Sequence, residues 1–141
     1  KNQLMNKSNH ILKGKIIGGN LERTIEYLYC YKLNFKDKIV FLEETEESEH
    51  QIYNLLINLK NYSGFKPKAI LFGNLGVKDK VLMKNMIKSI FPNIPIITNL
   101  PFGHTLPNVT IPLGAECKID FNQGKIDFLF SEKDKDYAVR F

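Results

Sequence analysis

Three short apolar runs, KIVFL at 38–42, AILF at 69–72 and IPIIT at 94–98, alternate with stretches whose apolar residues recur at helical spacing. That alternation restricts the chain to a layered α/β or α+β domain, because such short runs become stable strands only where helices or another sheet cover them. KIVFL has the composition of a strand buried on both faces. An earlier run, ILKGKII at 11–17, reads as a further strand. Gly18-Gly19-Asn20 breaks it, and Asn20 can cap a helix from Leu21 with Ile25 and Leu28 on its apolar edge. Ser48 and Gln51 form a capping box for a helix reaching about Lys60, with Ile52, Leu55, Leu56 and Leu59 at helical spacing. Asp79 can cap the next helix, whose Leu82, Met83, Met86, Ile87 and Ile90 share one side until Pro92 and Pro95 end it. ECKIDF and KIDFLF flank Asn122-Gln123-Gly124 and read as a closing β-hairpin. The expected fold is α/β, a mixed sheet with flanking helices and a C-terminal hairpin over residues 11–130. A linker remnant at 1–10 and a polar tail at 131–141 are expected to flank it.

A chain of 141 residues can bury one real core, and with 43% hydrophobic and 25% charged residues disorder is not the expected state. The net charge of +5 raises a nucleic-acid reading, but the lysines are scattered and Arg23 and Arg140 are the only arginines. With no aromatic–basic signature either, the charge reads as a solvated surface, and no nucleic-acid partner is expected. No apolar run approaches the roughly 20 residues of a membrane span, so no membrane partner is expected. The start, KNQLMNKSNH, has neither a signal peptide's apolar centre nor an initiator methionine, and reads as the middle of a longer protein. Cys30 and Cys117 match no zinc or CxxC spacing. Two such cysteines point to buried thiols in a reducing compartment, and the expected location is cytoplasmic.

The chemistry concentrates in PFGHTLPNVTIPLG at 101–114, where His104 sits among Pro101, Pro107 and Pro112. Prolines exclude a helix, so the imidazole is mounted on a stiffened loop, and Gly103 beside it lets a backbone or a substrate approach. A hydrogen-bonded structural histidine is the competing reading. Glu43 ends KIVFL, the end of a strand where open α/β sheets place ligands. A carboxylate there could orient an imidazole; alternatively it is one more solvated acid of the run EETEESE at 43–49. The other acids of that run, Glu44 included, read as helix capping and solvation. Gly18, Gly19 and Asn20 could present backbone N–H groups to an anion, or form only a tight βα turn. A nucleophile is missing. No serine lies in a G-x-S-x-G elbow, and neither cysteine has the setting of an activated thiolate.

In order, GGNLERTIEYL at 18–28, KIVFLEE at 38–44, Glu47 with IYNLLINLK, AILFG at 69–73 and PFGHTLPNVTIPLG at 101–114 resemble the LD-carboxypeptidases and microcin C immunity peptidases over almost the whole chain. FLEE and FGHT with the following N-V-T-I-P-L-G, about 60 residues apart, carry the resemblance. It implies the second, swivelling β/β/α domain of a two-domain serine peptidase, with the nucleophile on an absent N-terminal domain. Glu43 and His104 match the triad glutamate and histidine, and Gly18, Gly19 and Asn20 match a cleft-lining segment that meets substrate. It implies no metal and no cofactor. The substrate would be a small peptide, cut at an amide near a free C-terminus: a muropeptide L,D-bond or a microcin-like conjugate. The fragment alone would be inert, and a homodimer is open to it. The chain departs from the family pattern at Gln51, Tyr53 and Asn54 and at Cys30-Tyr31-Lys32-Leu33. The alternative is a non-catalytic α/β binding or interaction domain on the same scaffold.

Overall fold

The four apolar runs lie side by side and point the same way. The computed structural model describes residues 3–104, 106, 108–129 and 137–141. In it β2 (Leu12–Asn20), β3 (Ile39–Glu43), β4 (Ala69–Phe72) and β5 (Ile96–Thr98) form the parallel centre of one mixed sheet. The helices α1 (Leu21–Tyr31), α2 (Glu49–Asn61) and α3 (Lys80–Ile90) make the connections between them. Beyond β2 the sheet continues antiparallel through β6 (Glu116–Asp120), β7 (Lys125–Leu129) and β8 (Tyr137–Arg140). At the opposite edge β1 (Gln3–Met5) pairs antiparallel with β5, giving the order β1-β5-β4-β3-β2-β6-β7-β8.

Every residue of β3 and β4 is buried, and the pleat divides them between two cores. Val40, Leu42, Ile70 and Phe72 face the helices, packing with Leu28, Ile52, Leu56, Met83 and Ile87. Ile39, Phe41, Ala69 and Leu71 face the other way, against Cys117, Ile119, Ile126 and Phe128 of β6 and β7 and against Leu100 and Phe102. The antiparallel half of the sheet thus curls over the face the helices leave bare. Fully burying one Leu, Ile or Phe contributes roughly 1.5–3 kcal/mol, which is why these two clusters determine the strand register.

The three caps form as expected. Asn20 accepts from Arg23 N, Ser48 and Gln51 complete a reciprocal capping box, and Asp79 accepts from Val81 N and Leu82 N. Several expectations are corrected. Residues 1–10 are not all linker, since Gln3–Met5 is a strand and the Asn6 amide donates to the carbonyls of Phe91 and Ile94 at 3.0 and 2.8 Å. Three residues are too few to show a period. Within the expected tail, Tyr137–Arg140 joins β7, and the rest of 131–136 lies outside the described residues. Leu82 turns to solvent, leaving Met83, Ile87 and Ile90 as the buried stripe of α3. No helix among the described residues is long and apolar enough to cross a membrane.

Cys117 is buried in β6, but Cys30 lies exposed on α1, against the expectation of two buried thiols. Burial first, then the charges of Asp127 and Glu116, push the Cys117 thiol up to about 12. Since the thiolate is the reactive form, Cys117 is protected both by access and by ionisation. A disulfide-exchange reagent at neutral pH should therefore titrate one thiol per native chain, Cys30, and the second only after denaturation. Two fast thiols in the folded chain would contradict the sealed second core.

Candidate active site

The C-terminal ends of the parallel strands lie along one edge of the sheet, and the chain loops back across it. Gly73, directly after β4, donates its N–H to the Leu42 carbonyl at 2.9 Å. Asn74 then links two distant segments, accepting from Glu44 N at 2.9 Å and donating to the Phe102 carbonyl at 3.3 Å. Leu100 N donates to the Phe72 carbonyl at 3.1 Å, so residues 100–102 are held along the ends of β3 and β4. Gly73 is needed for this approach, because a Cβ there would stand 2.7 Å from the Phe102 carbonyl oxygen. The Phe102 ring packs edge-on against Phe41 with centroids 5.5 Å apart, and Val109 N closes the loop onto the Pro101 carbonyl at 2.8 Å.

That bracing carries His104 to Glu43. The imidazole Nδ1 lies 3.1 Å from Glu43 Oε2, across 61 residues of sequence. The two partners differ sharply in exposure: the Glu43 side chain keeps 8% of its surface and the His104 side chain 70%. An ionised carboxylate only accepts, so Nδ1 carries the proton of this bond, and in the neutral ring Nε2 is then the acceptor. Gly103 has φ +101°, and a Cβ on it would meet Glu43 Oε2 at 2.9 Å. The glycine therefore allows both the left-handed backbone and the close passage of the carboxylate. An open cleft of about 510 Å³ adjoins the pair. Phe41, Phe102, Val109 and Ile111 give it apolar walls, and Asn108 and Thr110 give it polar groups. Among the described residues lining it there is neither a serine nor a cysteine. Leu106 and Leu113 are left 94% and 58% exposed at its rim.

Gly18, Gly19 and Asn20 are brought beside the pair, but not as a turn. They continue β2 in parallel register with β3, opposite Phe41, Leu42 and Glu43 respectively. The expectation that the glycines break the strand is corrected. At Gly18 the backbones approach so closely that a Cβ would fall 1.9 Å from the Phe41 carbonyl oxygen. The antiparallel partner β6 pairs with β2 only as far as Lys15, so among the described residues no strand covers the far side of Gly18–Asn20. Asn20 Oδ1 is occupied in capping α1 at 3.1 Å from Arg23 N. His10 and His50 lie exposed, His50 on α2. Sequence reasoning missed Glu44, which is 4% exposed and not a solvated acid at all. The signal was available in the pleat, since a residue following Val40 and Leu42 by the same step turns to the helix side.

These features coincide with a known class. The family profile described as the LD-carboxypeptidase C-terminal domain matches residues 13–119, and the chain belongs to that family. Its relatives include YocD of Bacillus subtilis, 34% identical over 123 residues that make up 79% of this chain and 37% of YocD. A Rickettsia prowazekii protein is 31% identical over 84% of this chain and 38% of its own length. Both are named as carboxypeptidases on a provisional basis. The microcin self-immunity protein MccF of Escherichia coli is 28% identical over 86% of this chain and 39% of MccF. Among solved structures, an MccF-like protein of Bacillus anthracis superposes with a TM-score of 0.69 at 29% identity, over 97% of this chain and 42% of that one. MccF bound to aspartyl sulfamoyl adenosine, at 22% identity and a TM-score of 0.72, shares the fold. The chain thus spans about two fifths of the length of the relatives it matches.

Two sets of glycine substitutions test this geometry. Gly18→Ala should lower unfolding free energy by at least about 3 kcal/mol, because β2 and β3 must part. Gly19→Ala, with φ +148° but no atom within 4 Å of its Cβ, should lose only the backbone strain of about 1–3 kcal/mol. Equal losses in urea titrations would show that the close approach at Gly18 is not real. Gly103→Ala should cost about 1–3 kcal/mol as well and separate the His104 ring from Glu43. A crystal structure of that variant with the 3.1 Å contact intact would contradict the role given to Gly103.

Proposed function

We propose that this chain is the histidine- and glutamate-bearing domain of a serine carboxypeptidase whose nucleophile is supplied by an N-terminal domain. The observation that carries this is the bond of 3.1 Å between an exposed imidazole and a nearly buried carboxylate, beside an open cleft that has no serine or cysteine among the described residues lining it. The shorter span of the chain against its relatives supports a partner half, and exposed Leu106 and Leu113 at the cleft rim fit a surface that such a half would cover.

In this reading the serine hydroxyl enters opposite His104 Nε2. The imidazole takes its proton as the oxygen attacks the scissile carbonyl, and Glu43, holding Nδ1–H, stabilises the imidazolium that results. His104 then gives the proton to the leaving amine, leaving an acyl-enzyme. A water, deprotonated by the same nitrogen, releases the acid and restores the serine. The oxyanion donors belong to the other half. Gly18, Gly19 and Asn20, beside Glu43 on the neighbouring strand, are the proposed substrate-binding segment. The substrate class is a small peptide or conjugate with an amide near a free C-terminus, a muropeptide L,D-bond or an aminoacyl nucleotide conjugate. The second is supported by a solved structure of MccF in complex with aspartyl sulfamoyl adenosine. The chain alone is proposed to be inert and cytoplasmic, and able to pair with a second copy in the intact protein.

The test is to join this chain to the N-terminal part of YocD and follow release of a C-terminal D-amino acid from a muropeptide and hydrolysis of an acyl sulfamoyl adenosine. Glu43→Gln should lower kcat by about 10⁴-fold and His104→Ala by at least as much, as for removal of a triad member generally. Turnover that survives His104→Ala would leave the non-catalytic binding domain as the better reading.

A further inference from the structure

Two consecutive carboxylates leave β3, and the pleat sends them to opposite sides. Glu43 continues the face of Ile39 and Phe41 and meets His104. Glu44 continues the face of Val40 and Leu42, toward the helices, and is 4% exposed. Among the described residues it has no cationic partner; backbone N–H groups hold it instead. Oε1 accepts from Thr45 N at 2.9 Å and from Glu46 N at 3.5 Å. Oε2 accepts from Glu22 N at 3.4 Å, in the first turn of α1. Its own N–H donates to the Asn74 carbonyl at 2.9 Å, and Asn74 N donates to the Phe102 carbonyl at 3.3 Å, two residues before the imidazole.

A carboxylate this buried is a poor choice for simple packing, because an apolar side chain would fill the space without desolvating a charge. What it supplies is direction. Donors from the corner after β3 and from the start of α1 converge on one rigid, planar group. The helix α1 begins directly after Asn20, which lies opposite Glu43 in the β2–β3 register. We propose that Glu44 is a positioning residue for the Glu43–His104 pair. It ties the N-terminus of α1 to the corner leaving β3, which sets where that strand ends and which way the Glu43 carboxylate points. The proposal rests on reading Glu43 and His104 as the reacting pair, but its test needs no activity, so it can fail while that reading survives.

The readout is the tautomer of the neutral His104 ring, observed through the ring ¹⁵N shifts of the full 141-residue chain, with His10 and His50 as internal references. In the unsubstituted chain His104 should be held as the Nδ1–H form by Glu43. In Glu44→Ala the ratio of Nδ1–H to Nε2–H at His104 should fall by about tenfold or more, the equivalent of one lost hydrogen bond to a charged group. Glu44→Gln keeps the shape and one acceptor but turns an amide N–H₂ toward a donor, and should shift the ratio the same way. It decides the matter alone if Glu44→Ala does not fold. Asp79→Ala, which removes only the cap bonds to Val81 N and Leu82 N, should lower stability and leave the ratio unchanged. The proposal is overturned if folded Glu44 variants keep the original ratio, or if Asp79→Ala moves it as much.

Discussion

The site depends on the backbone of one residue, Asn74, that is neither of its key residues. The Asn74 carbonyl receives the N–H of Glu44 and the Asn74 N–H reaches the carbonyl of Phe102. A strand ending in an acid and a loop carrying an imidazole are thereby held in one hydrogen-bonded frame. Backbone groups at the edge of a sheet must find partners when buried, and here the unmet groups of one strand end are satisfied by the loop that bears His104. Gly73 makes the frame possible by leaving room for the Phe102 carbonyl, as Gly103 leaves room for the Glu43 carboxylate. Small residues sit where two backbones, or a backbone and a charge, must come closer than a Cβ allows.

In the proposed reaction the sheltered Glu43 carboxylate and the exposed His104 ring would divide the labour. Burying the carboxylate weakens competition from water for its one ring partner, so the imidazole keeps its orientation. Leaving the ring in the open keeps Nε2 available to a group arriving from outside. The cleft has apolar walls and only a few polar groups, the usual make-up of a site for a small ligand, and its rim leucines are more exposed than an isolated domain would favour. Family membership and the two-fifths span against the relatives agree with this surface being half of a larger arrangement.

Much of the architecture was legible because it is written locally. Ser48 with Gln51, Asn20 and Asp79 each state where a helix begins, and all three form their caps. The hairpin around Asn122-Gln123-Gly124 was equally plain, with Gly124 taking the left-handed φ of +61° that its turn requires. Local patterns failed where the partner was distant. Gly18 and Gly19 look like a break, yet β3 recruits them as strand, and at Gly18 only a residue without a side chain could pair so closely with Phe41. Gln3–Met5 and Tyr137–Arg140 are strands only because β5 and β7 offer free edges. Cys30 faces water because, two residues past Leu28, it lies off the buried stripe of α1, and Leu82 because the buried stripe of α3 runs through Met83, Ile87 and Ile90.

The order of residues by itself determined the element types, the caps, the apolar stripes and the presence of one acid at a strand end and one histidine in a braced loop. These follow from propensities and periodicities that act within a few residues. Only the tertiary structure decided that Glu43 and His104 touch, that Glu44 is buried rather than solvated, and that the antiparallel half of the sheet covers the face opposite the helices. Each of those outcomes joins segments dozens of residues apart. Such joins are selected by the burial of two apolar cores and by backbone groups seeking partners, terms that appear only once the whole sheet has closed.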